Sequence, residues 1–283
     1  MSPFLQICLA LAILLFSAKA FGYLSTKIKQ PSVFGELLVG ILLGPSLINL
    51  FSLPVFDFPE LPLFISELGE LGVLLLMFIA GMELNLSDLT ENKAASAYAG
   101  ILGVLLPLFF GFLIGKSVSM GTNESLFLGL TLGATSVSIS AQTLIELKAL
   151  RTKVGFGLLG AAVFDDIIVI LLVSGFLALS TGGNGMDILI VLIKMILFLL
   201  ASLLVGYYLL PLITRKVHSL AITQGSLTLA LVIMLLYGIA SEYFGGMAAI
   251  TGTFIAGLMY ARTREKQQIE RGLKSLAYSF FVP

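Results

Sequence analysis

Nine stretches of about twenty mainly apolar residues follow one another with only short connections between them. They lie near 4–24, 32–50, 65–85, 94–115, 124–147, 154–179, 187–212, 222–243 and 246–261. A helix of that length matches the hydrocarbon thickness of a bilayer. A tenth apolar run, "LAYSFFVP", begins at Leu276 and reaches Pro283. Composition agrees: 58% of residues are hydrophobic, 11% are charged, and the mean hydropathy is +1.07. Soluble domains carry about 25% charge, so the solvent for this surface is lipid. The expected class is an all-α polytopic membrane protein with about nine complete transmembrane helices plus the start of a tenth.

Several functional classes drop out early. The formal net charge is +0, which gives no basic field for nucleic acid. Cys8 is the single cysteine and lies in an apolar run, so no disulfide framework or cysteine metal site is expected. His218 sits in a basic loop and reads as an ordinary loop residue. No GxGxxG, Walker or zinc-ligand pattern occurs, so no enzymatic chemistry and no cofactor are expected. The segment "SAKAFG" offers a cleavage-like A-x-A site, but "MSPFLQ" lacks a basic n-region. The first run is therefore expected to be a retained helix.

Orientation follows from the distribution of Lys and Arg. One set of alternate loops holds Lys27, Lys29, Lys93, Lys148, Arg151, Lys153, Arg215, Lys216, Arg262, Arg264, Lys266, Arg271 and Lys274. The other holds only Lys116, with acids such as Asp57, Glu60 and Asp187. This asymmetry predicts a cytoplasmic basic side and an N-terminus outside. An internal echo relates "VFGELLVGILLGPSL" (Val33–Leu47) to "GGMAAITGTFIAGLMY" (Gly245–Tyr260) through the spacing of small residues. The two copies would run in opposite directions, and inverted repeats characterise secondary transporters. On that pattern the counterparts of spans four to six would follow Pro283.

Two anomalies share a depth. The sixth run, "GLLGAAVFDDIIVILLVSG", carries Asp165 and Asp166 near its middle. A carboxylate at the bilayer centre costs at least ~2.5–3.5 kcal/mol on insertion scales. The pair must therefore face a wet cavity, carry protons or find partners. Adjacent helical residues point about 100° apart, so a division of labour is expected: one acid meets the transported species and the other a fixed partner such as a lysine. A carboxylate holds a proton or a metal cation, and each excludes the other, which is the minimum chemistry of proton-coupled cation exchange. The fifth run, "LGLTLGATSVSISAQTL", places Gly133, Thr135, Ser136, Ser138 and Ser140 around its centre. These residues weaken a helix, and an unwound segment would expose carbonyl and hydroxyl oxygens suited to Na⁺ or K⁺. Close helix packing through small residues is the competing structural explanation.

Other intramembrane charges receive lesser roles. Glu36 and Glu70 are candidates for an access path. Glu83 and Asp88 read as solvated at a membrane edge, and Lys19 and Lys194 as snorkelling lysines. The glycines of "GELLVGILLGP" are expected to permit close packing.

Taken together, "GELLVGILLGPSL", "LGELGVLLLMFIAGMEL", "ATSVSISAQTLIEL" and "GAAVFDDIIVILL" resemble the bacterial monovalent cation:proton antiporter-2 family. That family includes Na⁺/H⁺ antiporters and glutathione-regulated potassium-efflux systems. The resemblance covers almost the whole sequence. It implies a thirteen-helix inverted-repeat fold in a homodimer within the inner (plasma) membrane. It also implies dimerisation-type helices over 1–85, a first-repeat core over 86–180, a linker helix over 181–215 and the start of a second repeat over 216–283. By position, Thr135 and its neighbours would form the first unwound segment. Asp166 would bind cation and proton, and Asp165 would pair with a lysine in electrogenic members. Two aspartates are more similar to the sodium exchangers than to the potassium branch, where Gln is typical of the first position. The second unwound helix, the lysine and any regulatory domain would follow Pro283, so the sequence reads as C-terminally incomplete.

The expected activity is Na⁺ (or Li⁺)/H⁺ exchange by alternating access, with K⁺/H⁺ exchange as the alternative. Asp166 is the expected exchange site and Asp165 its electrostatic partner, with Thr135, Ser136 and Ser138 as oxygen ligands or neighbours. Rival readings are a non-transporting sensor or scaffold, a channel, and a same-fold organic-anion symporter. An intramembrane aspartyl protease fits poorly, because it needs its acids on two helices.

Overall fold

The structure is a computed structural model that describes residues 1–84, 93–181, 185–218 and 223–281. Asp88 lies outside the described residues, as do the side chains of Lys93, Ser138, Asp187 and His218. Among the described residues the regular structure is helical. The α-helices are α1 (Pro3–Lys27), α2 (Ser32–Leu43), α3 (Leu61–Glu83), α4 (Lys93–Ser117), α5 (Thr122–Gly133) and α6 (Val137–Glu146). They continue with α7 (Lys153–Thr181), α8 (Gly185–His218), α9 (Gly225–Ala240), α10 (Ala249–Tyr260) and α11 (Lys266–Leu276).

Six of these contain stretches long and apolar enough to cross a membrane: Pro3–Lys27, Leu61–Glu83, Ala94–Ser117, Lys153–Val173, Leu189–Val217 and Gly225–Gly245. The protein is a multi-pass membrane protein. Its outer surface bears large apolar side chains, Phe109, Phe110, Leu197, Leu200 and Tyr208 among them, as expected where lipid replaces water.

Three expected runs differ from single long helices. The run at 32–50 ends as a helix at Leu43, because Pro45 disfavours helical backbone at Gly44, which is extended (ψ 179°). A short 3₁₀ turn, Leu50–Ser52, follows. The run at 246–261 starts its helix only at Ala249, after a π-turn over Ser241–Gly245 and a left-handed Gly246 (φ 63°). The run at 124–147 is split. Gly133 ends α5, Ala134 is extended (ψ 113°), and Ser136 is the extended N-cap of α6 (ψ 106°). The two segments joined by the internal echo each form a 12-residue helix, α2 and α10. Their settings differ: α2 exposes Phe34, Leu37, Leu38 and Ile41, whereas α10 is buried from Thr251 through Tyr260.

A helix apolar on all sides belongs in the centre of a bundle, and α10 occupies that place, crossing α3. The crossing depends on glycine. A Cβ on Gly81 would run into the Phe254 carbonyl, and one on Gly257 into the Phe78 carbonyl. Phe78 and Tyr260 meet edge to face, with ring centroids 5.5 Å apart. By contrast, Gly40 has open space where its side group would be, so "GILLG" is not a packing motif here. In α2 it is Gly35 that lies against α1, at the Phe21 carbonyl.

The basic ends of the helices are fastened to one another. At the end of α3, Glu83 takes the ammonium of Lys274 from α11, and Arg151 stands 3.9 Å from its other oxygen. Lys274 also pairs with Glu270 at 2.7 Å. The Glu83 side chain is only 10% exposed, which corrects the expectation that it is solvated. A carboxylate at a helix end beside two cations is held in place rather than hydrated.

Candidate functional site

The acidic pair lies near the middle of α7, twelve and thirteen residues beyond Lys153. At 1.5 Å per residue this is about 18 Å from the basic end. The two side chains diverge. Asp165 is buried and shares the walls of one cleft with Thr135 of the α5–α6 break. Asp165 Oδ1 is buried without a hydrogen-bond partner among the described residues. Asp166 turns towards α10, where the buried Thr251 hydroxyl donates to Asp166 Oδ2 at 2.5 Å.

Three spaces border on this region. A cleft of about 480 Å³ on the basic side is lined by Lys153, Gly157, Thr135, Val137, Ala162 and Asp165 among others. A second cleft, of about 850 Å³, is lined by Glu70 of α3, Glu242 of the π-turn and Ile250. Between them is a cavity of about 10 Å³, room for one water molecule. Its walls are Met77, Val137, Leu159, Ala162, Asp166, Ile250, Thr251 and Phe254. Val137 and Ala162 border both the small cavity and the basic-side cleft. Ile250 borders both the small cavity and the acidic cleft. Asp166 therefore lines a small cavity that shares walls with two wider spaces.

Chemically, this is a carboxylate with a hydroxyl beside it in an apolar wall. It can hold one proton or one dehydrated cation, and a second carboxylate at the preceding residue strengthens the negative field. Residues 11–283 match the family model described as sodium/hydrogen exchanger, transmembrane. The chain belongs to that family. It is 36% identical over 276 residues to the Na(+)/H(+)-K(+) antiporter GerN of Bacillus cereus, covering 96% of this chain and 68% of that protein. It is also 36% identical over 273 residues to the probable Na(+)/H(+) antiporter GerT of the same organism, covering 96% and 70%. Over 275 residues it is 31% identical to a Na(+)/H(+) antiporter of Enterococcus hirae, again covering 96% and 70%.

Within this member of the sodium/hydrogen exchanger family, the expected site residues separate into groups. Thr135 comes to Asp165 rather than to Asp166. Ser136 forms the end of the break, and its carbonyl accepts from Ser140 Oγ at 3.3 Å. Glu36 does not line an open path alone. It accepts from Gln142 Nε2 at 3.1 Å, and the Lys19 ammonium lies 3.6 Å away. Lys19 is thus an ion-pair partner as well as an interfacial lysine. Glu70 lies in the acidic cleft, away from Asp166. Lys194 borders a separate apolar cleft with Phe198, Ser202 and Tyr237.

Three residues escape sequence reasoning: Thr251 and Glu242 in these spaces, and Gln142 beside Glu36. Thr251 lies within "GGMAAITGTFIAGLMY", where the spacing of small residues dominates the pattern and hides the hydroxyls. A threonine two positions into an apolar helix is the available signal.

Proposed function

We infer that the protein exchanges a monovalent cation for protons by alternating access, with Na⁺ (or Li⁺) as the cation. Asp166 is the exchange acid, loading a cation or a proton but not both. Asp165 is its electrostatic partner. Thr135 and Ser136 of the α5–α6 break, with Ser138 just after it, are oxygen ligands or neighbours of the site. The observation that carries this reading is the position of Asp166, on a cavity about one water wide that shares wall residues with a basic-side cleft and with an acidic cleft. An exchanger needs such a site to reach either side without a continuous channel. Oxygen donors on an irregular backbone are tolerated at membrane depth where they line a cavity.

K⁺ is the second reading, favoured by the name of the Bacillus cereus relative, a Na(+)/H(+)-K(+) antiporter. The remaining architecture belongs to the same proposal. It comprises nine crossings arranged as an inverted repeat, dimerisation-type helices over 1–85, a core over 86–180, a linker over 181–215 and a second repeat from 216. The protein works as a homodimer in the inner membrane, its N-terminus outside and its basic face cytoplasmic.

The test is proton movement in vesicles carrying the purified protein. A Na⁺ pulse should move protons in the wild type, and Asp166→Asn should abolish that response. Undiminished exchange in Asp166→Asn removes the residue from the mechanism. A Na⁺ current without proton movement replaces the antiporter with a channel.

A further inference from the structure

The family reading gives Asp166 its role but assigns nothing to α10. The small cavity beside Asp166 is lined by eight residues, six of them with apolar side chains; the exceptions are Asp166 and Thr251. Thr251 is 3% exposed, and its hydroxyl donates to Asp166 Oδ2 at 2.5 Å. A cation entering a space of about 10 Å³ cannot keep its water shell. It must replace that shell with protein oxygens, and the side-group oxygens lining this wall belong to Asp166 and Thr251.

A threonine hydroxyl is both donor and acceptor. Towards an ionised carboxylate it donates, which accounts for the contact of Thr251 Oγ1 with Asp166 Oδ2. With a cation on Asp166, rotation about the threonine Cβ–Oγ1 bond turns an oxygen lone pair to the same ion. No backbone movement is required for that exchange of roles. The residue sits on a firm support: α10 is buried from Thr251 to Tyr260 and packs backbone-close on α3 at Gly81 and Gly257. Ile250, the preceding residue, forms the wall towards the acidic cleft. Thr251 is thus held firmly in the wall of the cavity that Asp166 lines.

We propose that Thr251 is a cation-selecting ligand of the exchange site, donating its hydroxyl to Asp166 in the cation-free state and turning its oxygen to the cation in the loaded state. This rests on the antiporter reading and on Asp166 as its exchange acid. A rigid hydroxyl at fixed distance from a carboxylate favours a small monovalent ion over a larger one. Losing it should therefore raise the half-saturating concentration of Na⁺ and Li⁺ more than that of K⁺.

The experiment compares wild type, Thr251→Val, Thr251→Ala and Thr251→Ser as purified full-length protein in vesicles. Half-saturating concentration and maximal rate are measured for Na⁺, Li⁺ and K⁺. Thr251→Val keeps the shape and removes the hydroxyl. The expected result is a roughly tenfold or greater rise in half-saturating Na⁺, with a smaller rise for K⁺. Thr251→Ser should restore values within about threefold of wild type. Thr251→Ala provides the hydroxyl-free measurement if the valine variant is not recovered folded. Unchanged half-saturation in a hydroxyl-free variant overturns the proposal, as does a serine variant as impaired as the valine one, which would mark a packing role. Cation-dependent exchange that is present in wild type and lost in Asp166→Asn, but indifferent to Thr251, refutes this inference alone. Absence of exchange in wild type refutes the antiporter reading beneath it.

Discussion

Glu146, the last residue of α6, caps the first turn of α2 from 114 residues away. Its carboxylate accepts from Ser32 N at 2.7 Å and from Ser32 Oγ at 2.5 Å. The first backbone N–H groups of a helix have no partner within it, and an anion there also meets the positive end of the helix dipole. Pro31 precedes Ser32 and offers no capping hydrogen bond of its own, so a distant carboxylate takes that place.

Replacing this carboxylate should loosen α2 from α6. Glu146→Ala removes two hydrogen bonds to an ionised acceptor and should cost about 2 kcal/mol. The thermal midpoint of the detergent-purified protein reads the loss. A midpoint equal to wild type would mean that water caps α2 equally well.

Asp165→Asn should leave cation-dependent proton movement in place. It removes a negative charge beside Asp166 but keeps an amide able to meet Thr135. The expected change is in the pH profile of exchange and in the charge moved per cycle, read with a potential-sensitive dye in vesicles. Complete loss of cation binding would move the exchange site from Asp166 to Asp165.

The close crossing of α3 and α10 predicts a contrast between two glycines. Gly257→Ala places a methyl group against the Phe78 carbonyl and should destabilise by roughly 1–3 kcal/mol, the usual cost of overpacking. Gly40→Ala meets nothing within 4 Å and should be neutral or slightly stabilising, since alanine is the better helix former. Thermal unfolding of both variants in one detergent tests the pair. A Gly40 variant as damaged as the Gly257 variant would contradict the packing described.

The tie between α11 and α3 should be insensitive to pH across the physiological range. Burial alone would lower the Lys274 pKa, but the facing Glu270 and Glu83 carboxylates outweigh it and hold the ammonium above the usual lysine value. A raised value means that the stabilisation is complete below about pH 10.4 and is lost only as pH climbs past the folded-state pKa. Hydrogen exchange of the α11 amides, corrected for intrinsic rate, should therefore match at pH 6 and pH 9. Lys274→Met should accelerate it several-fold at both, for an ion pair worth on the order of 1 kcal/mol. A difference between pH 6 and pH 9 in the wild type would assign the tie to another group.

Local composition carries the membrane class, the mid-helix aspartates and the weakness between Gly133 and Ser136. Apolar length, helix-breaking residues and desolvated charge all act within a few neighbours. Pairing at long range is what escapes such a reading. Thr251 reaches Asp166 over 85 residues and Lys274 reaches Glu83 over 191, and no local period records such a meeting. Glu36 and Glu83 illustrate the consequence. Distance from a helix end suggests an access path for the first and a solvated edge for the second. Both are held by residues distant in sequence, Gln142 beside Glu36 and Lys274 and Arg151 beside Glu83, and for Glu83 these partners take the place of water.

Three of these long-range contacts lie along α6 and α7: Glu146 with Ser32, Gln142 with Glu36, and Asp166 with Thr251. Side chains make these joins, so the two faces can part without breaking a turn of helix. Four hydrogen bonds at about 1 kcal/mol net each come to ~4 kcal/mol. A membrane sustaining two pH units delivers about 2.7 kcal/mol per proton. These polar joins alone are on the scale of one or two protons running downhill, and the apolar side chains packed beside them, Val137 and Leu159 with Met77 and Phe254, add to the cost of parting. The two kinds of contact differ in chemistry: hydroxyl and carboxylate join α6 and α7 to α2 and α10, and glycine against carbonyl joins α10 to α3.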